Sequence, residues 1–424
     1  MWEKFLSIWR VTEVRNGLLF VLFMMILFRF IAHIPLPGID LAALHRYFQA
    51  NQVLGLFNLF SGGTLRNFAV VALGVAPYIT ASIIFQLLAM IVPQLEEIRK
   101  EGESGQQRIN QWTRLLTVPL AIIQSFGLIQ LLRQSQFQIL TQTDTLHILT
   151  LIATVTAGTV FLMWIGELIS EKKVGNGISL LIMAGILADL PQNMGQLLVS
   201  YDSSQFVTYL VYVGIAVVTV VGVVFITEGQ RNIPVQYARQ IRGGGATGGV
   251  ATHLPLRVNM AGVIPIIFAI SMLLFPSVLA QFFVHAKTAW LANAAQMIMS
   301  IMQNQTFYGI AYFALVALFT FFYTAIVFHP DQIAENLQKQ GGFIPGIRPG
   351  KPTAEYLQAI INRLNLVGAT FLGVIAVLPV AMHGAGGSQL LAIGGTSLLI
   401  VVSVVIETVK QVESQLTMRQ YDAY

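Results

Sequence analysis

The chain has 424 residues, 55 % of them hydrophobic and only 10 % charged, with a mean hydropathy of +0.70, whereas a soluble domain carries about 25 % charged residues. These figures exclude a water-soluble globule and indicate a polytopic membrane protein; zero cysteines exclude disulfides and thiolate metal sites. The net charge of +5 is small, so the placement of the charges is more informative than their sum, and the seven histidines show no metal-ligand spacing such as HExxH.

Met1 to Arg15 is an amphipathic, mixed-charge lead without the pattern of a cleavable signal, so the first span is expected to stay. Apolar runs of about 20 residues predict ten spans, at roughly 16–33, 68–92, 113–132, 147–169, 175–198, 206–227, 260–283, 307–328, 364–383 and 389–409. Trp290 to Met302 is shorter and interrupted by Asn293 and Gln296, which suits an interfacial helix. With the N-terminus inside, all but five of the 24 basic residues lie on inner segments, the exceptions being Arg29, Arg46, Arg66, Arg133 and Lys287. That asymmetry predicts cytoplasmic termini and an even number of spans.

The stretch from Leu54 to Val92 differs from an ordinary span. A short, weakly amphipathic piece, Leu54 to Phe60, breaks at Ser61-Gly62-Gly63, carries Arg66, and is followed by the apolar run Phe68 to Val92. The first piece is too short to cross a bilayer. It either re-enters, buried in protein or lining a wet cavity, or is a surface loop that happens to be apolar.

Two inner loops are long and basic. Residues 228–259 hold four arginines, and residues 329–364 are punctuated by Gly341-Gly342, Pro345-Gly346 and Pro349-Gly350, the composition of rigid turns at a projecting tip. Setting topology explains their charge but not their length, so a docking surface is expected, for RNA phosphates or an acidic protein face. Gly243, Gly245 and Gly248 form G-x-G-x-x-G, but without an expected preceding strand or following helix they mark a loop tip, not a dinucleotide site.

The second span opens with Gly74-Val75-Ala76-Pro77-Tyr78-Ile79 and the seventh with Gly262-Val263-Ile264-Pro265-Ile266-Ile267. This shared G-V-x-P-x-I opens the second span of each set of five. Halves with an odd number of spans must be inverted, an arrangement that puts a pathway at their interface. Chance similarity between apolar helix entries is the competing explanation. Carboxylates sit at span ends or in loops: Asp40, Asp144, Asp189 and Asp202 outside, Glu167, Glu228 and Glu407 toward the inside. An ion-coupled transporter usually has an ionisable group deep in a span, which leaves a small-solute transporter as the alternative to a passive channel. No nucleotide-binding loop and no nucleophile with its base is identifiable, so no enzyme activity and no cofactor are expected.

Phe57-Asn58-Leu59-Phe60-Ser61-Gly62-Gly63, preceded by Ile34-Pro35-Leu36-Pro37-Gly38-Ile39-Asp40 and followed by Pro77-Tyr78-Ile79-Thr80-Ala81-Ser82, closely resembles the bacterial SecY family of protein-conducting channel subunits. Glu101-Gly102-Glu103-Ser104-Gly105, Gly175-Asn176-Gly177-Ile178-Ser179, Thr252-His253-Leu254-Pro255-Leu256, Val258-Asn259-Met260-Ala261-Gly262, Phe343-Ile344-Pro345-Gly346-Ile347-Arg348-Pro349-Gly350 and Gly394-Gly395-Thr396-Ser397 agree with it, and the likeness runs from about Phe5 to Gln411.

The resemblance implies an all-α clamshell of ten transmembrane helices in two inverted halves, residues 1–199 and 200–424, around an hourglass pore. The family's aliphatic pore ring maps to Val75, Ile79, Ile178, Ile182, Ile267 and Ile400, with Val75 standing where bacterial members commonly have isoleucine. The plug maps to Leu56, Phe57, Asn58, Leu59, Phe60, Ser61, Gly62, Gly63, Thr64, Leu65, Arg66 and Asn67. The lateral gate between the second and third and the seventh and eighth helices maps to Thr80, Gln86, Asn259 and Phe275. Docking of the motor ATPase SecA or the ribosome maps to Arg239, Arg242, Arg348 and Lys351, and the glycine-rich tip 240–252 is less basic than in many relatives. The implied partners are the small membrane subunits SecE and SecG, signal sequences, nascent polypeptides and lipid, in the bacterial cytoplasmic membrane.

Overall fold

The computed structural model describes residues 9, 11–50, 58, 61–133, 137, 139–142, 144–199, 206–237, 240–242, 245–247, 251–284, 288–384 and 394–422. In chain order the helices of the first half are α1 Thr12–Ile31, α2 Leu41–Ala50, α3 Ala76–Ile91, α4 Pro93–Lys100, α5 Glu103–Arg133, α6 Thr145–Glu171 and α7 Gly177–Val199. Then come α8 Phe206–Glu228, strands β1 Gln230–Tyr237, β2 Gln240–Arg242, β3 Gly245–Thr247 and β4 Ala251–Arg257, and helices α9 Ile264–Phe283, α10 Ala289–Gln303, α11 Gln305–Val327 and α12 Pro330–Lys339. Strand β5 Gly342–Phe343 and helices α13 Lys351–Gly384 and α14 Gly394–Asp422 complete the chain.

A helix covers each of the ten expected runs, but not always with the expected length. Among the described residues six helices are long and apolar enough to cross a membrane, or seven if α3 and α4, bent by 106° at their junction, form one span. The second expected run, 68–92, loses its first eight residues. Phe68 and Val70 are tied to the chain before the plug, with Leu36 N–H donating to the Phe68 carbonyl (3.0 Å) and Val70 N–H to that of Ile34 (3.1 Å). A backbone engaged there cannot also complete helical turns, and Phe68 sits at φ 40°, uncommon for a bulky residue. The run 364–383 instead starts early, at Lys351, and 113–132 starts at Glu103, because polar residues extend a helix beyond the membrane without interrupting its hydrogen bonds.

The inner loops are also more ordered than their turn-rich composition suggested. Strands β1 and β4 pair antiparallel from Gln230↔Arg257 to Gln236↔Ala251, and β5 pairs with the end of β1 at Gln236↔Phe343 and Tyr237↔Gly342. The two long loops expected to dock partners therefore share one sheet, of order β4-β1-β5. Its apolar side buries Ile233, Val235 and Leu256 with Leu337, Ile344, Leu357, Ile360 and Ile361. A strand does precede the G-x-G-x-x-G run, contrary to expectation, but β2 pairs with β3 as a hairpin and no helix follows, so the exclusion of a dinucleotide site stands.

Two apolar clusters fill the membrane part. The larger draws on α1, α3, α6, α7, α8, α9, α11, α13 and α14, and the smaller gathers α2, α5, α6 and residues 65–73. Helix α9 of the second half packs against both α3 and α5 of the first.

Candidate functional site

The shared G-V-x-P-x-I motif folds the same way twice. Gly74 (φ +57°) and Gly262 (φ +63°) adopt the left-handed conformation that favours glycine. Val75 and Val263 are the N-cap residues of α3 and α9, and Pro77 and Pro265 sit in the first turn, where the missing N–H leaves nothing unsatisfied. Ile79 and Ile267 thereby occupy equivalent places one turn into each helix, their N–H groups bonded to the valine carbonyls at 3.1 and 3.4 Å. Both enter the larger apolar cluster with Val75, Ile182 and Ile400, and Ile178 packs against it half-buried. Helices α3, α7, α9 and α14 thus deliver all six expected ring residues to one cluster.

Beside this cluster lies the expected plug, of which Asn58 and residues 61–67 are described; Leu56, Phe57, Leu59 and Phe60 lie outside the described residues. Of its described part, residues 61–65 are buried. Ser61 and Thr64 are buried, and the Thr64 hydroxyl lies 2.7 and 2.8 Å from the carbonyls of Ser61 and Val71. Asn58 accepts from the Gly63 and Arg66 N–H groups, each at 2.8 Å. Leu65 anchors the segment in the smaller cluster. Its burial contributes about 1.5–3 kcal/mol. Gly62 and Gly63, at φ +72° and +77°, turn the chain against α7, where a Cβ on Gly185 would lie 2.1 Å from the Gly62 Cα.

Among the described residues, Thr80, Gln86 and Asn259 of the expected gate do not bond to one another. Thr80 donates to the Ala76 carbonyl (3.0 Å), Gln86 to Ser82 (3.0 Å) and Asn259 to the Gly262 carbonyl (3.2 Å). Among the described residues the Gln86 and Asn259 side-chain oxygens are buried without a partner, a cost of about 1–3 kcal/mol each. Phe275 lies on α9, its side chain outside the described residues.

Of the expected docking residues, Arg239 and the side chain of Arg242 lie outside the described residues. Arg348 and Lys351 are exposed. The Arg348 carbonyl accepts from the Thr353 hydroxyl at 2.8 Å, and Ile344 and Ile347 pin the tip to the sheet.

The sequence model of the SecY family matches residues 69–409. The chain belongs to the SecY family. It is 41 % identical over 438 residues to the protein translocase subunit SecY of Streptomyces galbus and 42 % over 443 residues to that of Mycobacterium tuberculosis, each alignment covering 100 % of both chains. The Corynebacterium glutamicum subunit is 43 % identical, with 97 % of each chain covered. Among solved structures, a protein-conducting channel aligns with a TM-score of 0.63 at 16 % identity, covering 93 % of this chain and 91 % of that one, and Sec61 in a canine ribosome-channel complex with a TM-score of 0.58 at 15 % identity, with the same coverage. These likenesses show the SecY fold, an all-α polytopic architecture, for this chain.

Within that family setting, one feature of the site had not been legible. Arg29 and Asp189, which the sequence places merely in the outer half, meet at the plug: Arg29 Nη1 donates to the Gly62 carbonyl at 2.8 Å and Nη2 lies 3.7 Å from Asp189 Oδ1. The available signal was Arg29 itself, the one arginine in the first expected span, 16–33. Among the described residues no cluster of three or more histidines and carboxylates is arranged to hold a metal.

Proposed function

We infer that this chain is the channel-forming subunit of a protein translocase, a passive gated pore for unfolded polypeptides. The observation that carries this reading is that Ile79 and Ile267, equivalent residues of the two repeats, belong to one buried apolar cluster beside the plug. An aliphatic ring offers a passing chain no hydrogen bond or charge to stick to, and a narrow apolar neck resists wetting and ions. A small-solute transporter is set aside, since the relatives are protein translocase subunits and the structural neighbours protein-conducting channels.

The halves 1–199 and 200–424 part between α3 and α5 on one side and α9 and α11 on the other, with Thr80, Gln86, Asn259 and Phe275 along the seam. The unpartnered oxygens of Gln86 and Asn259 weaken the closed seam and so favour its opening. Segments of about 20 apolar residues leave there because they gain free energy in lipid. SecA or the ribosome supplies the work at the shared sheet and the Arg348 tip, SecE and SecG accompany the channel, and the protein resides in the bacterial cytoplasmic membrane with both termini inside. The chain itself is not an enzyme.

The test uses cysteines introduced at Ile79 and Ile267, the chain having none of its own, against a secretory substrate arrested halfway by a folded domain. Crosslinks at both positions, dependent on arrest, are expected. A substrate that reaches neither while the motor still binds would put the pore elsewhere.

A further inference from the structure

We propose that Arg29 and Asp189 form a bracket that clamps the backbone of the plug and sets how often the resting channel opens. The proposal rests on the reading of residues 56–67 as the plug and assigns its hold to two residues outside it.

Arg29 stands in the last turn of α1 and Asp189 on α7, with side chains 23 % and 24 % exposed. Both reach the same two glycines. The guanidinium donates to the Gly62 carbonyl at 2.8 Å, and the Asp189 carboxylate lies so close to Gly63 that a Cβ there would fall 2.6 Å from Oδ2. Arg29 therefore does more than offset the partial negative charge at its own helix end, because one prong of its fork holds the plug and the other faces the carboxylate. A charge-assisted bond of this kind is about twice as strong as a neutral one. Phe28, buried beneath, closes the bracket from below: its Cζ would meet a Cβ on Gly62 at 2.9 Å.

The chemistry is directional. Among the described residues no plug donor bonds to Asp189, so the carboxylate acts on the plug through Arg29, which it orients and whose charge it balances. Arg66, itself a residue of the plug, also acts on the carboxylate through its charge. When the plug leaves, Arg29 loses its carbonyl partner but keeps Asp189, so the displaced state retains a paired arginine. The bracket thus opposes opening by one bond and leaves no buried lone charge behind.

The test is the resting ion conductance of the intact channel complex in planar bilayers, with Arg29→Gln and Asp189→Asn made both in the full chain and in a chain lacking residues 56–67. In the full chain Arg29→Gln should raise resting open probability about tenfold, equivalent to ~1.4 kcal/mol, and Asp189→Asn should raise it less. In the deleted chain, already leaky, neither substitution should add conductance. Native conductance in both full-length variants would overturn the bracket while a leaky deletion preserved the plug reading. An equal added leak in the deleted chain would overturn it too, by showing that Arg29 acts on the helices and not on the plug. A deletion that conducts like the native chain would remove the plug reading and the bracket with it.

Discussion

Arg99 donates through Nη2 to the carbonyl oxygen of Ile326 at 2.7 Å, a bond between residues 227 positions apart that joins α4 of the first half to the last turn of α11 in the second. The acceptor is one of the carbonyls a helix leaves unpaired at its C-terminus, where the helix dipole favours a cation. The 106° bend between α3 and α4 is what carries Arg99 across to it. In Arg99→Gln the closed seam loses about 1.5 kcal/mol, and spin labels at Met90 on α3 and Met272 on α9, both exposed to the outside of the protein, should report a longer-distance population enlarged roughly tenfold. An unchanged distance distribution would count against a clasp at this point.

The close approach of Gly185 to Gly62 predicts a steric effect independent of charge. In Gly185→Ala the new methyl cannot fit and must push the plug away, at about 1–3 kcal/mol, so resting conductance rises. Gly195→Ala on the same helix is the control, since a Cβ there meets nothing within 4 Å. Equal conductance in the two variants would mean that the plug yields without opening the pore.

A pH dependence follows from His45, which lies on α2 outside the spans. Arg66 Nε donates to its Nδ1 at 3.1 Å, so the bond needs that nitrogen unprotonated. Burial first, and then the charge of Arg66, hold the His45 pKa below its ordinary 6.5. With the folded value depressed, the contribution is complete above pH 6.5, shrinks as pH falls through the window below it, and is gone once pH has passed the folded value. Acidifying the outer side through that window should raise resting conductance, and His45→Gln, which keeps an acceptor that does not titrate, should flatten the response. An equally steep response in His45→Gln would assign the effect to another group.

Arg348 offers a change that leaves the fold alone. Its side chain is exposed, and its loop is fixed by the Thr353 bond to its carbonyl and by Ile344 and Ile347. Arg348→Glu should shift stability by no more than about 0.5 kcal/mol yet abolish motor-driven export. Normal export by a variant with native thermal stability would remove the docking role.

Composition and the period of apolar runs were enough to establish a polytopic helical membrane protein, and every expected run proved to contain a helix. The repeat was legible as well, because glycine, valine and proline at Gly74, Val75 and Pro77, and again at Gly262, Val263 and Pro265, specify a helix entry through local backbone preferences alone. What the sequence could not decide were the contacts made by backbone atoms across long separations. The withdrawal of residues 68–75 from the second helix depends on Ile34 and Leu36. The inner sheet depends on pairing Gln236 with Phe343, and the hold on the plug depends on Arg29 finding the Gly62 carbonyl. A carbonyl oxygen is the same in every residue, so its partner is chosen by the tertiary arrangement of the helices and leaves no mark in residue type.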